Sequence, residues 1–384
     1  MSLKTFARLA GLCVILLMFA GCGDYFRPVA NPVGKPGGDP TVQRTAVVIS
    51  NNNGGIGGST DIDVAGDTVM ATHHVGLNPV YAASFSGFVT YVANSGDDTL
   101  SSYNANSPGS EPSVVNLPKG ARPTFVTIAN GQLMVANTGT NNVAVVGTGQ
   151  NVVNNLIAVG VAPVSIAAIP NFAKIYVVNQ GDNTVSVVDT TDFTVVKTIP
   201  VGSKPVASAV NPDGGLVFVV NQGSGDVTAI DTTVDKVSQT FPLGGSPNSV
   251  FYDKTLRRMY VTNPGNNTVA VFKADVTPPV LLATVPVGNA PVAVTALADG
   301  TRAYVANSGS NTISVINTSN NTVLRTITVG TAPVALASSG DNLRVVVANR
   351  DSDTISDIRT SDDTVVATIK SVTPKPIFVT IDPP

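Results

Sequence analysis

The sequence predicts an all-β fold built from repeated four-stranded antiparallel units, and three observations carry that expectation. Helix formers are scarce: Glu111 is the only glutamate in 384 residues, while Val, Thr, Asn and Gly abound. Short apolar runs alternate with Asn/Gly/Asp clusters, as in "YVVNQGDNTVSVVDTT" (Tyr176–Thr191), the pattern of strands joined by tight turns. That phrase then returns in phase along most of the chain.

At the N-terminus, Lys4 and Arg8 flank and precede an apolar run, Leu9–Ala20. At about 1.5 Å per residue the run is too short for a bilayer core of about 30 Å, so a cleaved export signal is expected. "FAGC" (Phe19–Cys22) resembles the lipobox of bacterial lipoproteins, with Phe19 in place of the usual leucine. The resemblance implies a signal peptide over residues 1–21, lipidation of the Cys22 thiol, and a membrane partner reached through that anchor. The alternative is ordinary secretory cleavage beside an incidental cysteine. On the first reading the protein is an exported, periplasmic or cell-surface lipoprotein. Gly23 is not the acidic cue for inner-membrane retention, which favours the outer membrane. Residues 22–44 are rich in Pro and Gly without apolar periodicity, and read as a tether reaching up to roughly 70 Å. Cys13 and Cys22 are the only cysteines, so the β body has no disulfide and no cysteine metal site.

Residues 45–384 form the repeat. Aligned on the Asn that closes an apolar run, the copies end at Asn51, Asn94, Asn137, Asn179, Asn221, Asn263, Asn307 and Asn349, a period near 42. Each unit divides into four strands. In the unit opened by Pro291 these are "PVAVTALA", "RAYVAN", "TISVIN" and "TVLRTITV", separated by turns rich in Asp, Gly, Asn and Ser. Four strands in about 42 residues is the arithmetic of a β-propeller blade. Inner strands such as "VFVV" (Val217–Val220) are apolar throughout, as burial on both faces requires, and outer strands such as "TVVKTIPV" (Thr194–Val201) mix in polar residues. One blade cannot bury its own faces, so stability is expected from stacking and ring closure. The repeated Asn is expected to act locally, through αL backbone or an Asx-turn, rather than on a ligand.

First strands open at Pro79, Pro123, Pro163, Pro205, Pro247, Pro291, Pro333 and Pro376. The last has no second strand after it, and "TAVVISN" (Thr45–Asn51) has no first strand before it. Pairing the two ends completes one blade and predicts eight. The literal "YVTN" at Tyr260–Asn263, recurring in phase, resembles the YVTN β-propeller repeat family (YncE-like and surface-layer-like proteins) over Thr45–Pro384. Since that family is mostly seven-bladed, seven is the alternative.

Net charge is −3 and the basic residues are scattered, which argues against a nucleic-acid partner. The family resemblance places a propeller's site where the channel opens among the strand 4→1 connections and strand 2→3 turns. Arg122, Lys204, Arg350 and Lys375 are candidates to ring that mouth and attract an anionic ligand, with solvated loop charges the plainer account. His73 and His74 are adjacent on an outer strand, point opposite ways, and read as solvated rim residues. Asp97, Asp98, Asp182, Asp226, Asp351 and Asp353 are spread over several turns and fit turn chemistry better than calcium. Asp253 and Asp382 fall at the far ends of inner strands. Inner strands such as "PVSIAAIP" and "PVAVTALA" carry no titratable side chain, so no catalytic residue, metal or cofactor is expected. The favoured function is a non-catalytic exported lipoprotein, a binding scaffold for a protein, glycan or small ligand in the cell envelope. The alternatives are a lactonase-like hydrolase and a surface-layer or adhesion protein.

Overall fold

A computed structural model describes residues 45–381 apart from 53–54, 86–88, 106–110, 150, 171 and 372. The signal and tether segments, Cys22 and Asp382 lie outside the described residues. The chain forms eight four-stranded antiparallel sheets. Seven use consecutive strands, each sheet running from an inner to an outer strand. We number them as blades 2 to 8, with inner strands Pro79–Phe85, Pro123–Ala129, Pro163–Ala168, Pro205–Val210, Ser249–Asp253, Pro291–Ala296 and Pro333–Ser338.

Blade 1 is composite. Its inner strand is the last of the chain, Pro376–Ile381, followed outward by Thr45–Ser50, Ile56–Asp63 and Thr68–Leu77. The closing pairing is antiparallel and sets Val48 opposite Val379 and Ile49 opposite Phe378. The Pro376–Ile381 strand also lies against the inner strands of blades 8 and 2, so the ring closes at eight blades rather than seven.

Burial follows the composition of each strand. The second strand of blade 5, Leu216–Asn221, is buried at every residue. Blades stack through such strands: Tyr176, Val178 and Val185 of blade 4 meet Val217, Val219 and Ile230 of blade 5. Each large side chain buried this way stabilises by about 1.5–3 kcal/mol. The outer strands Thr194–Pro200 and Thr322–Thr328 fully bury only Ile199 and Ile327.

Two sequence expectations are corrected. In blade 1 the partner of the opening proline Pro376 is Ser50, whereas Asn94, Asn137 and Asn307 partner the opening prolines of their blades. Ser50 therefore takes the repeat position, with its hydroxyl 3.1 Å from that of Ser371, and Asn51 lies one residue beyond. In blade 6 the inner strand starts at Ser249 rather than Pro247. Its approach turns through Gly244 (φ 67°) and Gly245 (φ 61°), a route that glycine takes without steric cost.

The 1→2 and 3→4 turns form what we term the lower face, where side chains clamp each blade to the next. Tyr176 donates its hydroxyl to Asp235, which also receives Lys174 at 2.9 Å. Tyr304 and Arg302 hold Asp363 in the same manner at 2.7 and 3.0 Å. At the seam between blades 8 and 1, Val346 stands at the tyrosine position, opposite Asp357 on the neighbouring strand. Asp357 is buried 3.6 Å from Arg344 and interacts with Asp67, the counterpart of Asp235 and Asp363. Burial and the neighbouring carboxyl push Asp357 up to about 8, and Arg344 draws it partly back.

Candidate functional site: the channel and its two mouths

The upper face carries the 2→3 turns and the 4→1 connections, where the candidate cations fall. Its geometry starts from the recurring Asn. Asn94, Asn137, Asn179, Asn221, Asn307 and Asn349 are fully buried, each ending a second strand. They are neither αL nor Asx-turn residues: Asn349 has φ −103° and ψ 96°. Their amide Nδ2 groups instead clasp the third strand. Asn179 donates to Thr184 and Ser186 at 3.0 Å each, and Asn307 to Thr312 and Ser314 at 3.2 and 2.9 Å. Asn263 is the variant, accepting from Ser246 N–H at 3.0 Å and donating to the Gly244 carbonyl at 2.9 Å. The glycine of each "VG" connection lies directly over this amide. A Cβ at Gly160, Gly202 or Gly288 would come within 2.5–2.7 Å of Asn179, Asn221 or Asn307.

The αL residues stand elsewhere. One set precedes the third strand: Asp98, Asn141, Asn183, Asn267, Asn311 and Asp353, with φ of 54–59°. The other precedes the opening proline: Asn78, Arg122, Ala162, Lys204, Ala290, Ala332 and Lys375, with φ of 47–60°. A residue before proline normally stays extended, and a non-glycine residue in αL costs about 1–2 kcal/mol. Hydrogen bonds between blades offset that cost. The Lys204 N–H donates to Asn183 at 2.7 Å, Arg122 N–H to Asp98 at 2.8 Å and Lys375 N–H to Asp353 at 2.8 Å. The carbonyls of the same residues then accept from the 2→3 turn of the blade they open, Gln222 N–H reaching Lys204 at 3.0 Å. These stitches repeat around the ring, and they are what the turn aspartates and asparagines do. Asp97 and Asp182 likewise cap the Leu77 and Val161 N–H groups at 2.8 and 3.0 Å. Among the described residues, no group of three or more His, Cys, Asp or Glu is placed to hold a metal ion.

The four candidate cations separate into two kinds. Arg350 grips Asp351 with two bonds of 2.9 and 3.0 Å, and Lys375 reaches the same carboxylate at 3.3 Å. Arg350 leads in holding the Asp351 carboxyl down at about 2, with Lys375 adding to it. Arg122 and Lys204 open blades 3 and 5, use their backbones in the stitches, and extend exposed side chains at separate points of the mouth.

Inside the channel, side-chain size varies around the ring. Tyr81, Phe125 and Phe378 come from the inner strands of blades 2, 3 and 1, with ring centroids 4.4 and 4.8 Å from Tyr81. Burial there pushes the Tyr81 hydroxyl up to about 12. The inner strands of blades 7 and 8, "PVAVTA" and "PVALAS", carry small side chains. A cavity of about 570 Å³ opens between blades 6, 7, 8 and 1, at the lower ends of their inner strands. Tyr252, Thr295, Ser338 and Thr380 contribute polar groups to its wall, with Asp253 and Lys254 at its edge. Thr295 and Ser338 hydroxyls lie 3.1 Å apart, and Ser338 donates to the Ala296 carbonyl at 2.9 Å. Asp253 Oδ1 caps the Thr255 and Leu256 N–H groups at 2.9 and 3.1 Å. Its Oδ2 is buried with no protein partner.

His73 is not a solvated rim residue. It is buried, stacked on Tyr103 of blade 2 at 4.1 Å, with Nε2 3.1 Å from Asp61. Tyr103 donates to Asp61 at 3.2 Å and bonds the Ser59 hydroxyl. Burial raises the Asp61 carboxyl, against the pull of its His73 and Tyr103 bonds. The physical reason is the polar third strand of blade 1: Ser59, Thr60 and Asp61 are all buried, and His73 of the outer strand partners Asp61. His74, its neighbour, faces solvent.

No protein-family model matches the chain, and no curated protein matches it. Solved structures resemble it in fold. The dihydro-heme d1 dehydrogenase NirN, solved with DHE, is 13% identical, with a TM-score of 0.73 over 91% of this chain and 77% of that one. Apo AztD from Citrobacter koseri is 14% identical, with a TM-score of 0.67 over 89% and 98%. A candidate 6-phosphogluconolactonase from Bacteroides fragilis is 14% identical, with a TM-score of 0.62 over 90% and 100%.

Proposed function

We propose that the protein is an exported lipoprotein of the YVTN repeat kind, anchored through Cys22, whose propeller is a non-catalytic binding scaffold for a protein, glycan or small ligand of the cell envelope. The supporting observation is the ready-made channel cavity, whose wall combines hydroxyls, aromatic rings and aliphatic groups with Asp253 and Lys254 at its edge. Its volume falls in the range of about 300–1,000 Å³ typical of small-molecule sites. The one aspartate on its wall is engaged by two backbone amides and is held as a turn cap rather than aimed as a base. The stitches make the ring rigid before any ligand arrives, which lowers the ordering cost of binding.

The reading is tested in intact cells. Crosslinking should capture an envelope component with the full chain, and the protein should partition into a detergent phase unless Cys22→Ser is introduced. Capture of nothing in the envelope and aqueous partition of the unaltered chain would count against it. The second reading is a lactonase-like hydrolase. It draws on the fold shared with a candidate lactonase and on the exposed cations Arg122 and Lys204, which suit an anionic lactone. Hydrolysis of a lactone panel that collapses in the Arg122→Ala/Lys204→Ala double variant would favour it over the scaffold.

A further inference from the structure

Resting on the scaffold reading, we propose that the lower cavity between blades 6, 7, 8 and 1 is a binding site for a neutral polyhydroxylated ligand, a short sugar chain, and that the cations of the upper mouth take no part in it. Three aromatic rings close the channel on the side of blades 1 to 3, while Ala296, Ala337 and Ser338 leave the opposite side open. A cavity of about 570 Å³ accommodates two or three sugar rings, given that drug-sized ligands occupy sites of about 300–1,000 Å³.

The chemistry of the wall then selects the ligand. Phe251 and Tyr252 line the blade 6 side, half-buried, and give that wall the aromatic character that suits the C–H surface of a sugar ring. Burial pushes the Tyr252 hydroxyl up to about 12, so it remains a neutral donor and acceptor. Across the cavity, Thr295, Ser338 and Thr380 form an arc of hydroxyls on three successive blades. Such groups exchange hydrogen bonds in both directions, as sugar hydroxyls do. The single carboxylate disfavours an anion, and Lys254 at the rim balances its charge. Phosphorylated or carboxylated ligands belong, if anywhere, to the opposite mouth, at the far end of the inner strands.

The test uses the full chain in detergent and calorimetric titration with maltotriose, cellotriose and chitotriose, with glucose 6-phosphate as the anionic control. Because the chain has no Trp, tyrosine fluorescence gives a second readout. At least one trisaccharide should bind saturably. Ala337→Phe, which fills the cavity, should abolish binding, and Thr295→Val should weaken it about tenfold, as loss of one hydrogen bond does. Arg122→Ala should leave it unchanged. If Ala337→Phe misfolds, Thr295→Val alone decides. Failure of all three trisaccharides to bind overturns the sugar assignment; the scaffold reading then stands or falls separately on envelope crosslinking. Binding that survives both cavity variants but is lost with Arg122→Ala places the site at the upper mouth and overturns the proposal.

Discussion

Replacing Asp357 with valine should stabilise the ring, and more so as pH rises. Asp357 is buried at the blade 8/1 seam beside Asp67, with Arg344 3.6 Å away. Its pKa is pushed up to about 8, so the folded protein holds a proton there that an unfolded aspartate, near 3.9, releases. Between about pH 4 and pH 8 the folded state thus binds more protons, and stability falls as pH rises through that window. Four units at about 1.4 kcal/mol each set a ceiling on the order of 5 kcal/mol. Water entering an opened seam reduces what is realised to roughly 2 kcal/mol. Valine fits the site, because Val187, Val271 and Val315 occupy the equivalent place in blades 4, 6 and 7. It also removes the carboxyl that opposes Asp67 across the seam. Thermal melts of both proteins at pH 5.5, 7 and 8.5 measure the effect. The two should differ least at pH 5.5, and the variant should melt several degrees higher at pH 8.5. Groups remote from the seam titrate alike in both, so the difference between the curves isolates the Asp357–Asp67 pair. Parallel curves, or a variant that loses ground as pH rises, would refute the assignment.

Truncation after Lys375 removes the inner strand of blade 1 and with it the pairing to Thr45–Ser50; the melting temperature should fall by about 10 °C or more, read by circular dichroism. Gly202→Ala places a methyl group within 2.7 Å of Asn221 and against Ser224, and should cost about 1–3 kcal/mol in denaturant titration, whereas Gly215→Ala meets nothing within 4 Å and should cost far less. Asn179→Ala deletes two hydrogen bonds from a fully buried clasp and should destabilise by roughly 1–3 kcal/mol in denaturant titration.

The blade count was legible because it depends only on the repeat period and on two unmatched half-blades at the ends of the chain. The register of blade 1 was not. Asn51 and Ser50 are both plausible ends for "AVVIS", and only the closing pairing sets Ser50 across from Pro376. The structural role of the repeated Asn was legible, but its mechanism was displaced by four residues: the αL turn residue is Asn183 while the buried clasp is Asn179. The stitches join residues about 21 apart in different blades, so turn propensity explained each Asp and Asn without revealing its partner. The cavity did leave a signal, in the contrast between "PVYAASF", "PTFVTIA" and "PIFVTI" on one side and "PVAVTA" and "PVALAS" on the other. That signal becomes spatial only once the ring order sets like strands beside like. The burial of His73 also left a trace, in a third strand reading "GGSTDID" where blade 4 reads "TVSVVD" and blade 7 "TISVIN".

Blade 1 concentrates the polar exceptions. It supplies Asp61 and His73 to one interface, and at the other it meets the buried Asp357 of blade 8, where blades 4, 6 and 7 carry valine. Buried polar groups return less net stability than the apolar area they displace, even when hydrogen-bonded. The same blade is the one that covalent continuity does not hold together, since its inner strand arrives from the opposite end of the chain. Ring closure therefore rests on the strand pairing between Thr45–Ser50 and Pro376–Ile381 and on two interfaces weaker than the rest. The cavity lies against this blade, with Val379, Thr380 and Ile381 forming one wall. A ligand seated there touches the closing strand and blades 6, 7 and 8 at once. It thus bridges the least secured joint of the ring, and occupancy should be coupled to the stability of closure in a way that a ligand at the upper mouth, among stitches already complete, would not be.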